Sequence, residues 1–493
     1  MRIAIVGAGA SAVGACLGLA PGSDITVLDV GKPLGPLRKQ MAAPPPWSDS
    51  LYRTAHTAAR TAGAGLFPQK QYFGSLPSRY PNAASVYLSE VFGGLTRFWG
   101  ACMLPFTPHD LRDWPITALQ LRPHYEKVLR EVPVAGQDDG MAAYFGHGFV
   151  NAESIAIPGV LSRLVAAVHG RGGFVAGKSR LALRTAAPDG CTYCGHCFYG
   201  CYCDAIYSAH TTLSRLAAAG RICYRSGLRV LSVDAAPGAV HLRIAATGQT
   251  VEQLAFDRVI LCAGCIETTR ITAVSYGLQG SHLPIRENPM FIFPLLYTGH
   301  SSGEEDVTRS IALSNVLLGL PQEAQASYIH MQVYPLSSYI WNHLVLRLGV
   351  PASSWLVSRG HRALARHTFI GFLYLAGSYS DGSALDLLGA DVLPRFRHST
   401  EAHTLAQSAL RRLSNVLRGS GFLLSPSLMR ALHPGSSAHY AGTLPMGTRV
   451  GTDAAIEPGR VYIGDSATFP SLPAPNHTFT IMANAARIAG AIA

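Results

Sequence analysis

The stretch RIAIVGAGASAVGACLGLA, residues 2–20, limits the fold more than any other part of the chain. Five apolar-rich residues lead into a glycine turn, and small residues then run on at helical spacing. This order of buried strand, tight turn and helix belongs to a parallel sheet with helices on its faces. In GAGASA, Gly7 permits the turn and Gly9 lets backbone approach a diphosphate. Ala12 is small enough for helix and strand to pack closely. The helix N-terminus would carry the anion. The next strand, DITVLDVG, ends on Asp29, 22 residues after Gly7, where a carboxylate can accept from ribose hydroxyls. Nucleotide binding is the expectation, and the motif does not separate a nicotinamide from a flavin dinucleotide.

The remaining chain alternates in the same manner. Residues 117–132 read as a helix, and SAHTTLSRLAAAG as another. RICYRSGLRVLSVD and AVHLRIAAT read as paired strands. FDRVILCAGCIETTRI repeats strand, glycine turn and helix, and HTLAQSALRRLSNVLRGSG is helical. Residues 34–85, rich in Pro, Ser and Ala, read as a surface excursion. With 493 residues, 48% hydrophobic, the chain can bury more than one core. It contains no apolar run long enough to span a membrane. The first strand begins where a secretory signal would place its basic and apolar regions, so a cytoplasmic location is expected.

The net charge is +11, but only five of the 40 basic residues are lysine, leaving 35 scattered arginines. No basic stripe of the kind that tracks a nucleic-acid backbone is present. The charge suits an anionic substrate or an acidic protein partner.

CTYCGHCFYGCYC, residues 191–203, gathers half of the ten cysteines. Cys191, Cys194, Cys197 and Cys201 have ferredoxin spacing without its final proline, and Cys203 is an alternative fourth ligand. An iron–sulfur cluster, of three or four irons, is the favoured reading. Reduced thiols, a disulfide and zinc are the alternatives; disulfides at such close spacing are strained, and structural zinc usually joins two separate knuckles.

SSAHYAGTLPMG (436–447) and VYIGDSATFPSLPAPNHTFTIMANAARIA (461–489) close the chain. Together with the first motif, GGLTRFWG (93–100), VILCAGCIETTRI (259–271) and IRENPM (285–290), they resemble the glucose-methanol-choline family of FAD-dependent oxidoreductases. The resemblance implies an α/β fold with a discontinuous Rossmann-like FAD-binding domain, residues 1–300 and 431–493. An α+β substrate domain on an antiparallel sheet, residues 301–430, would be inserted in it. It implies oxidation of an alcohol by hydride transfer to FAD, with His439 as general base and Asn476 as its partner. His477, where the family commonly has proline, is a second polar candidate. Gly93, Gly94, Val230, Gly264 and Asp465 match flavin-contacting positions, beside Gly7, Gly9, Ala12 and Asp29. The chain departs from the family at Ala12, Asp29, Leu95 and Thr269. Residues 300–430 match nothing specific, and a sugar or glycoside hydroxyl is the expected substrate, with Tyr334, Trp341 and Trp355 available to stack on it. A metal cluster would favour a dehydrogenase passing electrons to an acidic acceptor protein. An oxidase using oxygen, a non-redox lyase on the same fold and a pure electron-transfer protein are the other readings.

Overall fold

The computed structural model describes residues 1–33, 86–195, 197–199, 201, 203–246, 251–278, 280–299, 310–322, 328–337, 340–341 and 355–492. The expected excursion over residues 34–85 lies outside them. Along the chain, the elements that build the cavity begin with β1 (Arg2–Val6), α1 (Ala10–Gly18), β2 (Asp24–Leu28) and β3 (Val175–Lys178). Next come β4 (Cys223–Arg225), β5 (Arg258–Leu261), α2 (Cys265–Ser275) and β6 (Met290–Tyr297). They end with β7 (Val316–Leu320), β8 (Ile329–Pro335), β9 (Thr368–Tyr374), β10 (Val461–Ile463) and α3 (Thr478–Gly490).

One sheet has the order β10–β5–β1–β2–β4, every pair parallel, with Ala455–Glu457 antiparallel on its β10 edge. Strand order reverses on either side of β1, and in open parallel sheets ligands bind at the carboxyl ends beside such a reversal. Ile3, Ala4, Ile5 and Val27 are completely buried, which is why these strands read as unbroken apolar runs. Helix α1 crosses α3 closely enough that a Cβ on Gly14 would lie 2.2 Å from the Met482 carbonyl oxygen. One on Gly18 would lie 2.3 Å from that of Ala486. Gly14→Ala therefore forces the helices apart. It should cost about 1–3 kcal/mol, read as a lower denaturant midpoint.

The second sheet is antiparallel and runs Phe422–Leu423, β6, β9, β8, β7, β3, with Arg430–Ala431 also on β6. It draws β3, which forms one edge, and β6, which pairs with β9, from outside the stretch 301–430. Alternate residues face opposite sides. Phe291, Phe293, Leu295, Met331, Val333, Phe369 and Leu373 form a core with helices Gly159–Val168 and Thr400–Val416. Met290, Tyr334, Leu336, Ile370, Phe372 and Tyr374 form a separate, smaller cluster on the other face. No described helix is long and apolar enough to cross a membrane.

Candidate functional site

A single cavity runs from the carboxyl ends of β1, β2 and β5 to the second sheet's smaller cluster. At its nucleotide end, Gly7 turns with φ +100°, and a Cβ there would sit 2.5 Å from the Cys262 carbonyl oxygen. Gly9 caps α1 without a side-chain hydrogen bond, and the first turn carries no acid. Gly9, Ala10 and Ser11 line the cavity, so the first N–H groups of α1 are available to an anion. Asp29 lines it at the end of β2 and accepts from the Tyr224 hydroxyl at 3.2 Å. Burial pushes its carboxyl up to about 7. Gly94, Val230, Gly264 and Asp465 line the same space. The Val230 carbonyl accepts from Arg270 at 2.8 Å. The Asp465 carboxylate accepts from the N–H groups of Gly264 (2.9 Å) and Ala467 (3.0 Å), pinning the turn before α2. Burial pushes it up to about 6.

Ala12 and Gly93 do not line the cavity. Ala12 is wholly buried in the core, and Gly93, at φ +101°, forms the turn that presents Gly94. These residues and backbone groups fit an elongated dinucleotide, with a diphosphate at α1 and ribose at Asp29.

The Asp29 titration has a definite sign. Its folded value lies above the ordinary 3.8, so between the two the native state holds the extra proton. Stability therefore falls as pH rises through that window. Asp29→Asn should raise the melting temperature of cofactor-free protein at pH 8. The same change should weaken dinucleotide uptake roughly tenfold by removing a charged acceptor.

At the far end, His439 follows Ala438, whose φ of +59° is unusual for a residue with a side chain. Glu287, wholly buried, holds that turn. It accepts from the Gly435 N–H, the Ser437 hydroxyl at 2.9 Å and His398 Nε2 at 2.8 Å. Its neighbour Asn288 reaches His439. Asn288 Nδ2 donates to the Leu375 and Pro473 carbonyls, each at 2.9 Å, so its Oδ1 must face His439 Nδ1, 2.9 Å away. That nitrogen therefore carries the proton, and Nε2 keeps the lone pair. Nε2 faces Asn476 Nδ2 at 3.3 Å, while Gln332 Nε2 donates to Asn476 Oδ1 at 2.5 Å. The Tyr334 hydroxyl donates to Gln332 Oε1 at 2.6 Å. One donor sense runs along the whole chain from Tyr334 to Asn288.

His439 and Asn476 are half-buried and line the cavity. Burial holds the His439 imidazole down to about 4, so it is neutral in the ordinary pH range. His477, buried at the start of α3, also lines the cavity. Its ring meets that of His439 edge-on at 4.9 Å, and burial keeps it well below the ordinary range.

The cysteine loop leaves one expectation without support. Among the described residues, no group of three or more His, Cys, Asp or Glu side chains is placed to hold a metal ion. An iron–sulfur cluster on Cys191, Cys194, Cys197 and Cys201, or with Cys203, is therefore not supported. The loop turns at Cys197–Tyr199 and sends Phe198 into the cavity. Cys201 and Cys203 sulfurs lie 3.6 Å apart, and every cysteine is a free thiol. Burial pushes Cys191 up to about 12 and Cys201 up to about 11, favouring thiol over thiolate. The expectation of a dehydrogenase rests on that cluster.

Asn288, Glu287 and Gln332 were not singled out from sequence. IRENPM was the only signal near the first two, and Gln332 sits in an apolar strand without a motif. Trp341 packs against the smaller cluster, and the Trp355 side chain lies outside the described residues.

No family model matches the chain, and no curated protein matches it. Among solved structures, the chain is similar to an FAD-dependent oxidoreductase from Chaetomium thermophilum in complex with a butanamide fragment. Identity is 13%, the match covers 100% of this chain and 98% of that one, and the TM-score is 0.62. At that identity the likeness is one of fold.

Proposed function

We propose that this chain is an FAD-dependent oxidoreductase of glucose-methanol-choline type that oxidises an alcohol to a carbonyl compound. The carrying observation is a histidine with a fixed, unprotonated Nε2 in the same cavity as the glycine turn and Asp29. Gly7, Gly9, Asp29, Gly94, Val230, Gly264 and Asp465 would hold the dinucleotide. When bound, FAD supplies the two-electron hydride acceptor.

His439 and Asn476 do the rest. Asn476 Nδ2 lies 3.3 Å from His439 Nε2, and a substrate hydroxyl entering between them satisfies both. It donates its proton to Nε2 and accepts from Nδ2, which orients the carbinol carbon. Asn288 then accepts from the imidazolium, as it did from the imidazole. His477 packs edge-on against the base.

Protein purified from cells should release one FAD per chain on denaturation and convert an alcohol to its carbonyl with a two-electron dye as acceptor. Protein that neither carries FAD nor takes it up on incubation would contradict the reading.

A further inference from the structure

The substrate class can be read from the wall opposite the nucleotide end, granting that this is an alcohol-oxidising site. Strand register places Met290, Tyr374 and His330 in one row across the second sheet. Ile292, Phe372 and Gln332 form the next row, and Ile370 and Tyr334 the one after. Of these, Met290, Gln332, Tyr334, Phe372 and Tyr374 line the cavity. Phe198 joins them, its ring stacked on Tyr334 at 6.3 Å. Tyr334 meets Phe372 edge-on at 5.3 Å, and Tyr374 stacks on His439 at 5.8 Å. This places the face of Tyr374 directly beside the base.

The few polar groups on this wall are already spent on one another. Gln332 Nε2 donates to Asn476 Oδ1 and to His330 Nε2 at 3.0 Å. Gln332 Oε1 accepts from Tyr334, whose hydroxyl also pairs with that of Tyr374. His330 is wholly buried and does not line the cavity. Among the described residues of this wall, the polar groups left for substrate are those around the base, the reacting pair His439 and Asn476 and the unpartnered Nδ1 of His477. A sugar brings several further hydroxyls, and each one buried here without a partner lowers affinity about tenfold.

We infer that the pocket accepts an alcohol with a single hydroxyl on an aromatic or similarly planar apolar body, and that Phe372 and Met290 select it. This replaces the carbohydrate expected from sequence. The body lies against Met290, Phe198 and Phe372 while its one hydroxyl reaches His439 and Asn476.

FAD-loaded protein is titrated calorimetrically with two product analogues that carry no aryl carbinol: benzamide and gluconolactone. Benzamide should bind at least tenfold more tightly. Phe372→Asn should weaken benzamide roughly tenfold with FAD content unchanged, and Met290→Gln provides the second variant if the first fails to fold. Tighter gluconolactone binding, or benzamide binding indifferent to both substitutions, overturns the inference. Benzyl alcohol and methyl glucoside, mixed anaerobically, separate the two readings. Bleaching by the glucoside alone sinks the substrate class but keeps alcohol oxidation. Tight benzamide binding without bleaching by either alcohol upholds the apolar pocket and counts against alcohol oxidation.

Discussion

His439→Ala should slow reduction of the bound flavin by alcohol about 10²–10⁴-fold, the usual span for a lost general base. FAD content should not change, because the residues assigned to the dinucleotide lie at the ends of β1, β2 and β10, in the turn before α2, at Gly94 and on the strand Leu228–Ala236 rather than at His439. The pH dependence carries a sign. Burial holds the imidazole down to about 4, so wild-type reduction should be flat from pH 6 to 8 and fall only as His439 protonates near that value. His439→Gln retains hydrogen bonding without a basic nitrogen, and it should be as slow as His439→Ala. A variant that reduces its flavin at the wild-type rate would remove His439 from the chemistry.

Asn288→Leu should cost about 10²-fold in the same rate. Asn288 touches no reacting atom; it acts by keeping the proton on His439 Nδ1 and the lone pair on Nε2. A general loss of structure would not move the pH profile, whereas Asn288→Asp should. A carboxylate beside Nδ1 stabilises the imidazolium and raises the histidine's pKa. Since the base works only when neutral, the acid limb of the profile should shift upward from near pH 4 into the neutral range. An acid limb that stays in place while the rate falls would mean that Asn288 is merely structural.

These two residues show where the sequence was informative. The strand, glycine turn and Asp29 lie within 29 residues, and local spacing was enough to bring them together. His439 and Asn476 stood out through the motifs around them. Asn288 is 151 residues from His439 and Gln332 is 144 from Asn476, and only the tertiary fold joins them. A dipeptide such as Arg286–Glu287 is too short to show an alternating pattern, and its pairing with Tyr440–Ala441 seats Asn288 against the base. The cysteine run is the opposite case. Its spacing brings the thiols near enough to interact electrostatically, but whether such a group is arranged to hold a metal depends on side-chain direction, which spacing does not encode. The apolar wall was hidden in TFIGFLY and IHMQVYP, which read as buried strands. In IHMQVYP, His330, Gln332 and Tyr334 alternate with Ile329, Met331 and Val333, yet all are buried, and sequence alone does not say which face borders a cavity.

The most direct test of the account is single-turnover reduction without oxygen, in which FAD-loaded protein is mixed with benzyl alcohol and with its α-deuterated form. The flavin bands should bleach, more slowly with the deuterated alcohol, as one equivalent of aldehyde forms per FAD. Flavin that stays oxidised while the alcohol occupies the pocket would contradict the account and favour non-redox chemistry on the same fold.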